Sequence, residues 1–374
     1  MRRFLSLSLS SLLIFCLCPW QVSADEIVAQ SHVDRPLYKE GEVLVKWKKA
    51  ARSQTKLAVN SKLGLDSITE YESLNTSRVA VAEGKSVEET LTELSSDPLV
   101  YSAEPNYYVY TDATPNDPAY ANQWGLHNSG QIILGQAGTS DMDIDAPEAW
   151  DHELGASSVV VGVIDTGIQI THQDLDANIW VNTGEIANNG IDDDGNGYVD
   201  DLNGWDFKNN DKTVFDVGSE DYHGTHVAGI IAAERNNSVG GSGVAQVKIM
   251  PLKALDQSDG GTISDVVEAI NYAAAKGVDI INMSFGSSSY SQTLKDAIDN
   301  HTDILFVTSA GNDGVDIDTS PQYPAAYTSS NLITVAAINN QGALATFTSG
   351  ASNYGDTHVD IGAPGRYIYS TLPT

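Results

Sequence analysis

The chain has 374 residues, 50 acidic against 20 basic, and a formal charge of −30. That length fits two domains, or one larger domain with an appendage, and 41% apolar residues are enough for a core, so the acidity does not signal wholesale disorder. A surface this negative repels nucleic acid and anionic membranes and favours bound cations, which argues against a nucleic-acid partner.

Residues 1–24 read as an export signal. Arg2 and Arg3 give the positive start, Phe4 to Cys18 the apolar run, and Val22-Ser23-Ala24 the small-residue cleavage site. The run is too short for a permanent membrane helix, so a secreted product with no membrane attachment after cleavage is expected. Cys16 and Cys18 are the chain's two cysteines. Both fall in this segment, so the processed chain would hold its loops without disulfides, and bound metal is the usual substitute.

From Asp25 to Asp112 the pattern predicts a compact α+β unit. Glu42 to Lys48 alternates as a strand, and Ala51 to Leu63 forms a helix stopped by Gly64. Ser67 to Ala82 gives two strands around Leu74-Asn75-Thr76-Ser77. Ser86 and Glu89 make a capping box for a helix ended by Asp97-Pro98, and Val100 to Tyr110 is the last strand. The order β-α-β-β-α-β predicts a small ferredoxin-like fold with nothing catalytic in it. The polar, proline-broken stretch Thr111 to Pro118 marks the boundary, which places the second domain at 113–374. The acidity is concentrated there: residues 25–112 carry 15 acids and 10 bases, residues 113–374 carry 35 and 8.

After a helix start at Asp145-Ala146-Pro147, the run Ser158 to Ile164 is rich in β-branched residues. It reads as a strand buried on both faces of a parallel sheet. It delivers one carboxylate, Asp165, at its end, and Thr166-Gly167 turns the chain. Val247–Leu252, Val278–Met283, Ile304–Thr308 and Leu332–Ala337 read as further strands, with a helix over Ile263–Lys276. The alternation implies right-handed crossovers: a three-layer α/β sandwich with a mostly parallel, doubly wound sheet. Ligands of such sheets gather beyond the strands' carboxyl ends, so Asp165 is a catalytic candidate.

His223-Gly224-Thr225-His226-Val227-Ala228-Gly229 opens a buried helix. A general base needs a fixed tautomer and a carboxylate to orient it; strand ends and helix starts meet at one sheet edge, so Asp165 could serve His223. Two histidines three apart also raise a zinc hydrolase, but the familiar zinc helix spaces them four apart with a glutamate between. His226 therefore reads as a structural residue. Asn312, after the strand Ile304–Thr308, could donate its side-chain amide to a developing oxyanion. In the acidic run Asp192 to Asp201, Asp192, Asp194 and Asn196 occupy alternate ligand positions of a calcium loop and Gly197 makes the sharp turn. Asn203 stands where a glutamate normally closes such a loop, so Asp200 or Asp201 must complete the shell.

Asp-Thr-Gly followed by His-Gly-Thr-His-Val-Ala-Gly, with Asn282-Met283-Ser284-Phe285-Gly286 and Val359 to Gly365 further on, resembles the subtilisin-like serine proteases, the subtilases. The resemblance runs from about Pro115 to Thr374. It implies that Asp165 orients His223, that His223 is the general base and that Asn312 stabilises the oxyanion. It implies that a polypeptide substrate lies as a strand between Gly260-Gly261 and Ser284-Phe285-Gly286, with Phe285 and Asp313 near the cleft. It further implies a calcium position joining Asp117, Asp174 and Asn237 through the Arg235–Gly243 loop, and that residues 25–112 are the chain's own propeptide, an intramolecular inhibitor and folding aid. The family's nucleophile sits in a Gly-Thr-Ser-Met-Ala segment about a dozen residues beyond Ala-Pro-Gly, and the sequence reaches Thr374 before that point; Gly138-Thr139-Ser140 lies ahead of Asp165 and continues differently, so it reads as a loop. The expectation is therefore a monomeric, exported, calcium-stabilised endopeptidase precursor truncated before its serine and inactive as written. The alternative is a catalytically inactive, exported fragment that binds calcium and peptides.

Overall fold

The computed structural model describes residues 38–108, 114–258, 260–348 and 350–374. The export signal expected at 1–24, the first residues of the 25–112 unit and part of the connector lie outside the described residues. The chain divides into two compact units, Met1–Val109 and Tyr110–Thr374.

In the first unit, β1 (Tyr38–Trp47), α1 (Ser53–Leu63), β2 (Asp66–Tyr71), β3 (Thr76–Ala80), α2 (Val87–Ser95) and β4 (Val100–Tyr107) follow the predicted order. The strands form an antiparallel sheet in the order β2-β3-β1-β4, a ferredoxin-like arrangement. Local chemistry sets the ends of the helices. Gly64 closes α1 at φ 72°, where a side chain would be strained, and Ser86 and Glu89 exchange reciprocal hydrogen bonds at the start of α2. Alternate residues of β1 (Val43, Val45 and Trp47) share one core with Val59, Val79, Val87 and Leu94. That period of two is what a sheet with one covered face requires.

The second unit opens with a small hairpin, β5 (Ile132–Ile133) and β6 (Gln136–Ala137), and a short helix, α3 (Ala146–Trp150). The sheet elements follow: β7 (Val160–Asp165), β8 (Trp205–Asp206), α4 (Tyr222–Ala232), β9 (Lys248–Lys253), α5 (Ile263–Ala275), β10 (Ile280–Met283), α6 (Gln292–Asn300), β11 (Leu305–Ser309) and β12 (Leu332–Ile338). After the ribbon of β13 (Thr346–Phe347) and β14 (Gly350–Ala351), β15 (Ile361–Pro364) completes a seven-stranded parallel sheet in the order β15-β12-β11-β10-β7-β9-β8. After β7 the chain forms the edge strand β8, returns to place β9 between β8 and β7, and then crosses over to build the other side outward from β10. The two faces divide the β7 side chains. Val161 and Val163 pack with Ile249, Ala228 and Ala232 on the α4 side, and Ile164 packs with Leu252, Ile281, Val266 and Ile298 on the α5–α6 side. No helix among the described residues is long and apolar enough to cross a membrane.

The pattern left β8, α6, β15 and the two-residue strands of the small ribbons unread. In α6, Leu294, Ala297 and Ile298 are the only buried side chains, so its apolar signal is thin. Strand β15 is a sheet edge of four residues, two of them Gly362 and Pro364, and it lacks the β-branched run that marks the inner strands.

Ile281 is fully buried on an inner strand. Replacing it with valine should cost about 1 kcal/mol and with alanine about 3 kcal/mol, read from denaturant midpoints at constant m. An alanine cost below about 1 kcal/mol would contradict its place in the core.

Candidate active site

Strand β7 ends by burying the Asp165 carboxylate, 2% exposed. An ionised group there must be met by donors, and it is. Oδ1 accepts from the Thr166 amide at 2.7 Å and lies 2.7 Å from Nδ1 of His223. His223 sits in the first turn of α4, and the two elements touch backbone to backbone. A Cβ on Gly224 would stand 2.3 Å from the Gly167 carbonyl oxygen, and one on Gly167 would stand 2.8 Å from the Val214 carbonyl oxygen. Gly167 also has φ +123°, out of reach for ordinary side chains. The Gly224 amide donates to Thr166 Oγ1 at 3.2 Å and closes the joint. Among the described residues no hydroxyl is bonded to the other ring nitrogen, Nε2, and the His223 side chain remains 42% exposed.

The hydrogen bond to Asp165 raises the His223 pKa, against the opposing effect of burial. His226, one turn along, is shifted the other way. Burial lowers its pKa, and its ring is tied to the Ile368 backbone. His172 is lowered by burial too, with Nδ1 accepting from the Asp174 amide. The two histidines of the motif thus turn to different partners and do not form a pair of ligands.

The other sequence-predicted residues fall at the same carboxyl edge, because β11, β10, β7 and β9 are adjacent. Ser284, Phe285 and Gly286 follow β10; Asn282 Nδ2 donates to Ser284 Oγ at 2.9 Å. Gly260 and Gly261 follow β9, and Lys208 donates to the Gly260 carbonyl at 2.6 Å. A Cβ on Gly261 would stand 2.0 Å from the Ala254 carbonyl oxygen, so the segment runs flush against β9's continuation. Asn312 is exposed just past β11. Its turn is held by a residue that sequence reasoning missed, the fully buried Asn353. Asn353 Nδ2 donates to the Ala310 carbonyl and its Oδ1 accepts from Asp313 and Val315. The only signal for it was an asparagine after a run of small and polar residues, Thr348 to Ser352, which ordinarily means a surface turn.

The acidic loop is arranged around its own amides. Asp192 accepts from Asn196 and Gly197, and Asp194 from Asn196. Asp200 turns to Lys212 at 2.8 Å, which lowers its pKa. Asp194 and Asp201 converge with Glu185, which the sequence reading missed; one oxygen from each lies within 4.8 Å of the others. Glu185 Oε1 accepts two amides, while its buried Oε2 has no partner. Lys276 places its ammonium on Asp194 and 3.4 Å from Asp201. Asp117, Asp174 and Asn237 also come together. Asn237 donates its side chain to Asp174 at 2.8 Å and its amide to Asp117 at 3.1 Å, and burial lifts the Asp174 pKa to about 6.

A titration of the imidazole resonances should order these groups. His223 should titrate above about 6.5 and His226 below it. The corresponding stabilities run oppositely. The His223 contribution is complete below about 6.5 and lost as pH rises through its folded midpoint; those of His172 and His226 are complete above about 6.5 and lost as pH falls through theirs. Asp165→Asn should bring the His223 midpoint down, and an unchanged midpoint would break the assigned pairing.

The subtilase family model matches residues 156–374, and the model of the fervidolysin N-terminal prodomain matches residues 24–106. A thermophilic serine proteinase from Bacillus sp. (strain AK1) is 33% identical over 94% of this chain and 76% of its own length. Thermitase from Thermoactinomyces vulgaris is 35% identical over 70% of this chain and 77% of its own, and halolysin from Haloferax mediterranei is 32% identical over 90% and 57%. An extracellular protease from Xanthomonas campestris is 35% identical, and the chain spans 48% of its length. Among solved structures, a protease of Pseudoalteromonas arctica superposes with a TM-score of 0.51 at 30% identity, over 68% of this chain and 73% of that one. The chain belongs to the subtilase family of subtilisin-like serine proteases and carries a prodomain of the fervidolysin type.

Proposed function

We propose that this chain is the precursor of a secreted serine endopeptidase. Residues 1–24 would be its export signal, 25–112 its inhibitory propeptide and 113–374 its catalytic unit, working as a monomer. The observation that carries the reading is the 2.7 Å bond from His223 Nδ1 to a buried carboxylate at the end of an inner parallel strand. That bond fixes the tautomer, leaving Nε2 as the base. In the proposed reaction a serine hydroxyl loses its proton to Nε2 as its oxygen attacks the peptide carbonyl carbon. Asp165 stabilises the imidazolium, and the proton then passes to the leaving amine, giving an acyl-enzyme that water hydrolyses. The Asn312 side-chain amide donates to the oxyanion. The substrate backbone lies as an added strand between Gly260-Gly261 and Ser284-Phe285-Gly286.

The 374 residues contain no Gly-Thr-Ser-Met-Ala segment, so the activity is proposed for a polypeptide that includes one. The alternative, an exported protein that binds calcium and peptides without cleaving them, separates from the first by chemical labelling. A fluorophosphonate probe should leave the 374-residue polypeptide unmarked. It should mark a form carrying the serine segment, faster once residues 25–112 are removed, and His223→Ala should abolish the reaction. A serine-bearing form that never labels would sink the protease reading.

Calcium is the proposed cofactor. The orphaned, buried Oε2 of Glu185 beside Asp194 and Asp201 is a position that lacks a cation contact, and the Lys276 ammonium already answers part of that charge. An oxygen-only donor set suits a hard cation. Glu185, Asp194 and Asp201 would hold it, with Asp192, Asn196 and Asp200 shaping the loop around them. Asp117, Asp174 and Asn237 are proposed as a weaker second position. Bound calcium would tie the loop down and take no part in the reaction. At a concentration 100-fold above its Kd it should add about 2.7 kcal/mol, a rise in Tm on the order of 5–10 °C. Glu185→Gln should remove most of that rise; a Tm indifferent to calcium in the parent would refute the cofactor.

A further inference from the structure

Lys253 is the one cation among the described residues that is essentially wholly buried, 1% exposed, and neither the proposed reaction nor the calcium loop uses it. It is the last residue of β9, in register with Asp165 on β7. Its ammonium meets acceptors on two elements. It donates to the carbonyl of Thr166, the residue after Asp165, and at 2.6 Å to Oδ1 of Asp221. Weaker contacts run to the Leu255 carbonyl at 3.4 Å and Asp216 Oδ2 at 3.6 Å.

Asp221 is fully buried and immediately precedes the helix that carries His223. Its second oxygen accepts the amides of Asp216 and Val217, so it also pins the loop leading into that helix. A Cβ on Gly167 would stand 3.0 Å from the Asp221 carboxyl carbon, so the Asp165 turn and this carboxylate are in packing contact.

A lysine and an aspartate out of water contribute little to stability alone, since desolvation cancels much of their attraction and an apolar pair of the same volume often does as well. What the pair supplies that an apolar pair would not is direction. The ammonium ties the Asp165 strand end, and Asp221 ties the His223 helix, to a common point. We propose that Lys253 and Asp221 are positioning residues: a buried cross-brace that holds the Asp165 turn against the start of α4 and so fixes the His223–Asp165 hydrogen bond. The relevance of that brace to catalysis rests on the protease reading, but the brace itself does not, and its test needs no turnover.

The test is NMR of the full 374-residue polypeptide. It follows the hydrogen-bonded Nδ1 proton of His223, downfield of the amides, and the His223 titration midpoint, with His226 as the other titrating ring facing it. In Lys253→Met the outcomes have opposite signs. Leaving Asp221 unpaired would by charge alone raise the midpoint, whereas a loosened His223–Asp165 bond lowers it and broadens the Nδ1 proton. A fall toward the ordinary value supports the brace, and a rise or no change overturns it. The double variant Lys253→Met/Asp221→Asn removes both charges and avoids an uncompensated one. It too should lower the midpoint, and a folded double variant indistinguishable from the parent overturns the proposal. If neither variant folds, hydrogen exchange on the parent decides. The Gly224 amide, bonded to Thr166 Oγ1, should exchange only through global unfolding, and exchange by local opening would refute a rigid joint. Loss of fluorophosphonate labelling in the serine-bearing form with this NMR behaviour intact would instead count against the protease reading.

Discussion

A carboxylate that ends an inner strand of a parallel sheet must be met by donors at that point, and here one oxygen of Asp165 is met twice, by an amide and by an imidazole. Much of the second unit's local architecture serves that meeting. The strand runs between β9 and β10, which leaves its end no freedom to wander. The glycines at 167 and 224 remove the side chains that would hold the helix away from the turn. The helix then brings His223 over the carboxylate with one nitrogen engaged and the other facing outward. An imidazole held this way has a defined tautomer before any substrate arrives, which is the preorganisation a general base requires.

The parallel sheet also explains why residues so far apart in the chain become neighbours. Each strand delivers its carboxyl end to the same edge, so segments after β7, β9, β10 and β11 line up in the order of the sheet, not of the chain. Gly260-Gly261, Asp165, Ser284–Gly286 and Asn312 are therefore set out side by side by topology alone. Their spacing is then adjusted by buried polar residues behind them, such as Asn353 under the Asn312 turn.

The division between what the sequence disclosed and what it hid follows the same physics. Inner strands were legible because burial on both faces selects β-branched runs, and helix ends were legible because caps use few residue types, as at Gly64, Ser86 and Glu89. The Asp165 and His223 pairing was legible because strand ends and helix starts share an edge. Glu185 was hidden because it stands outside the acidic run and joins Asp194 and Asp201 only through folding. Lys253 and Asp221 were hidden for a different reason. A lysine ending an apolar strand and an aspartate before a helix each have an ordinary local explanation, and only their common burial sets that explanation aside. Helix α6 is short and carries few apolar residues, although those it has, Leu294, Ala297 and Ile298, share one face.

The acidity, which at first excludes partners, finally accounts for the loops. With no cysteine after residue 24, the second unit has no disulfide to close its long connections. Its aspartates do that work by accepting amides a few residues onward: Asp143 from Asp145, Asp206 from Asn209, Asp211 from Thr213, Asp256 from Ser258 and Asp316 from Asp318. Each such turn favours one local conformation, while gathering negative charge on one unit. Where the carboxylates stand apart, solvent and salt screen them. Where three converge, as at Glu185, Asp194 and Asp201, the Lys276 ammonium answers two of them and one oxygen of Glu185 is left without a hydrogen-bond partner. The same charge that folds the loops one by one thus gathers, where they meet, the carboxylates at which calcium is proposed.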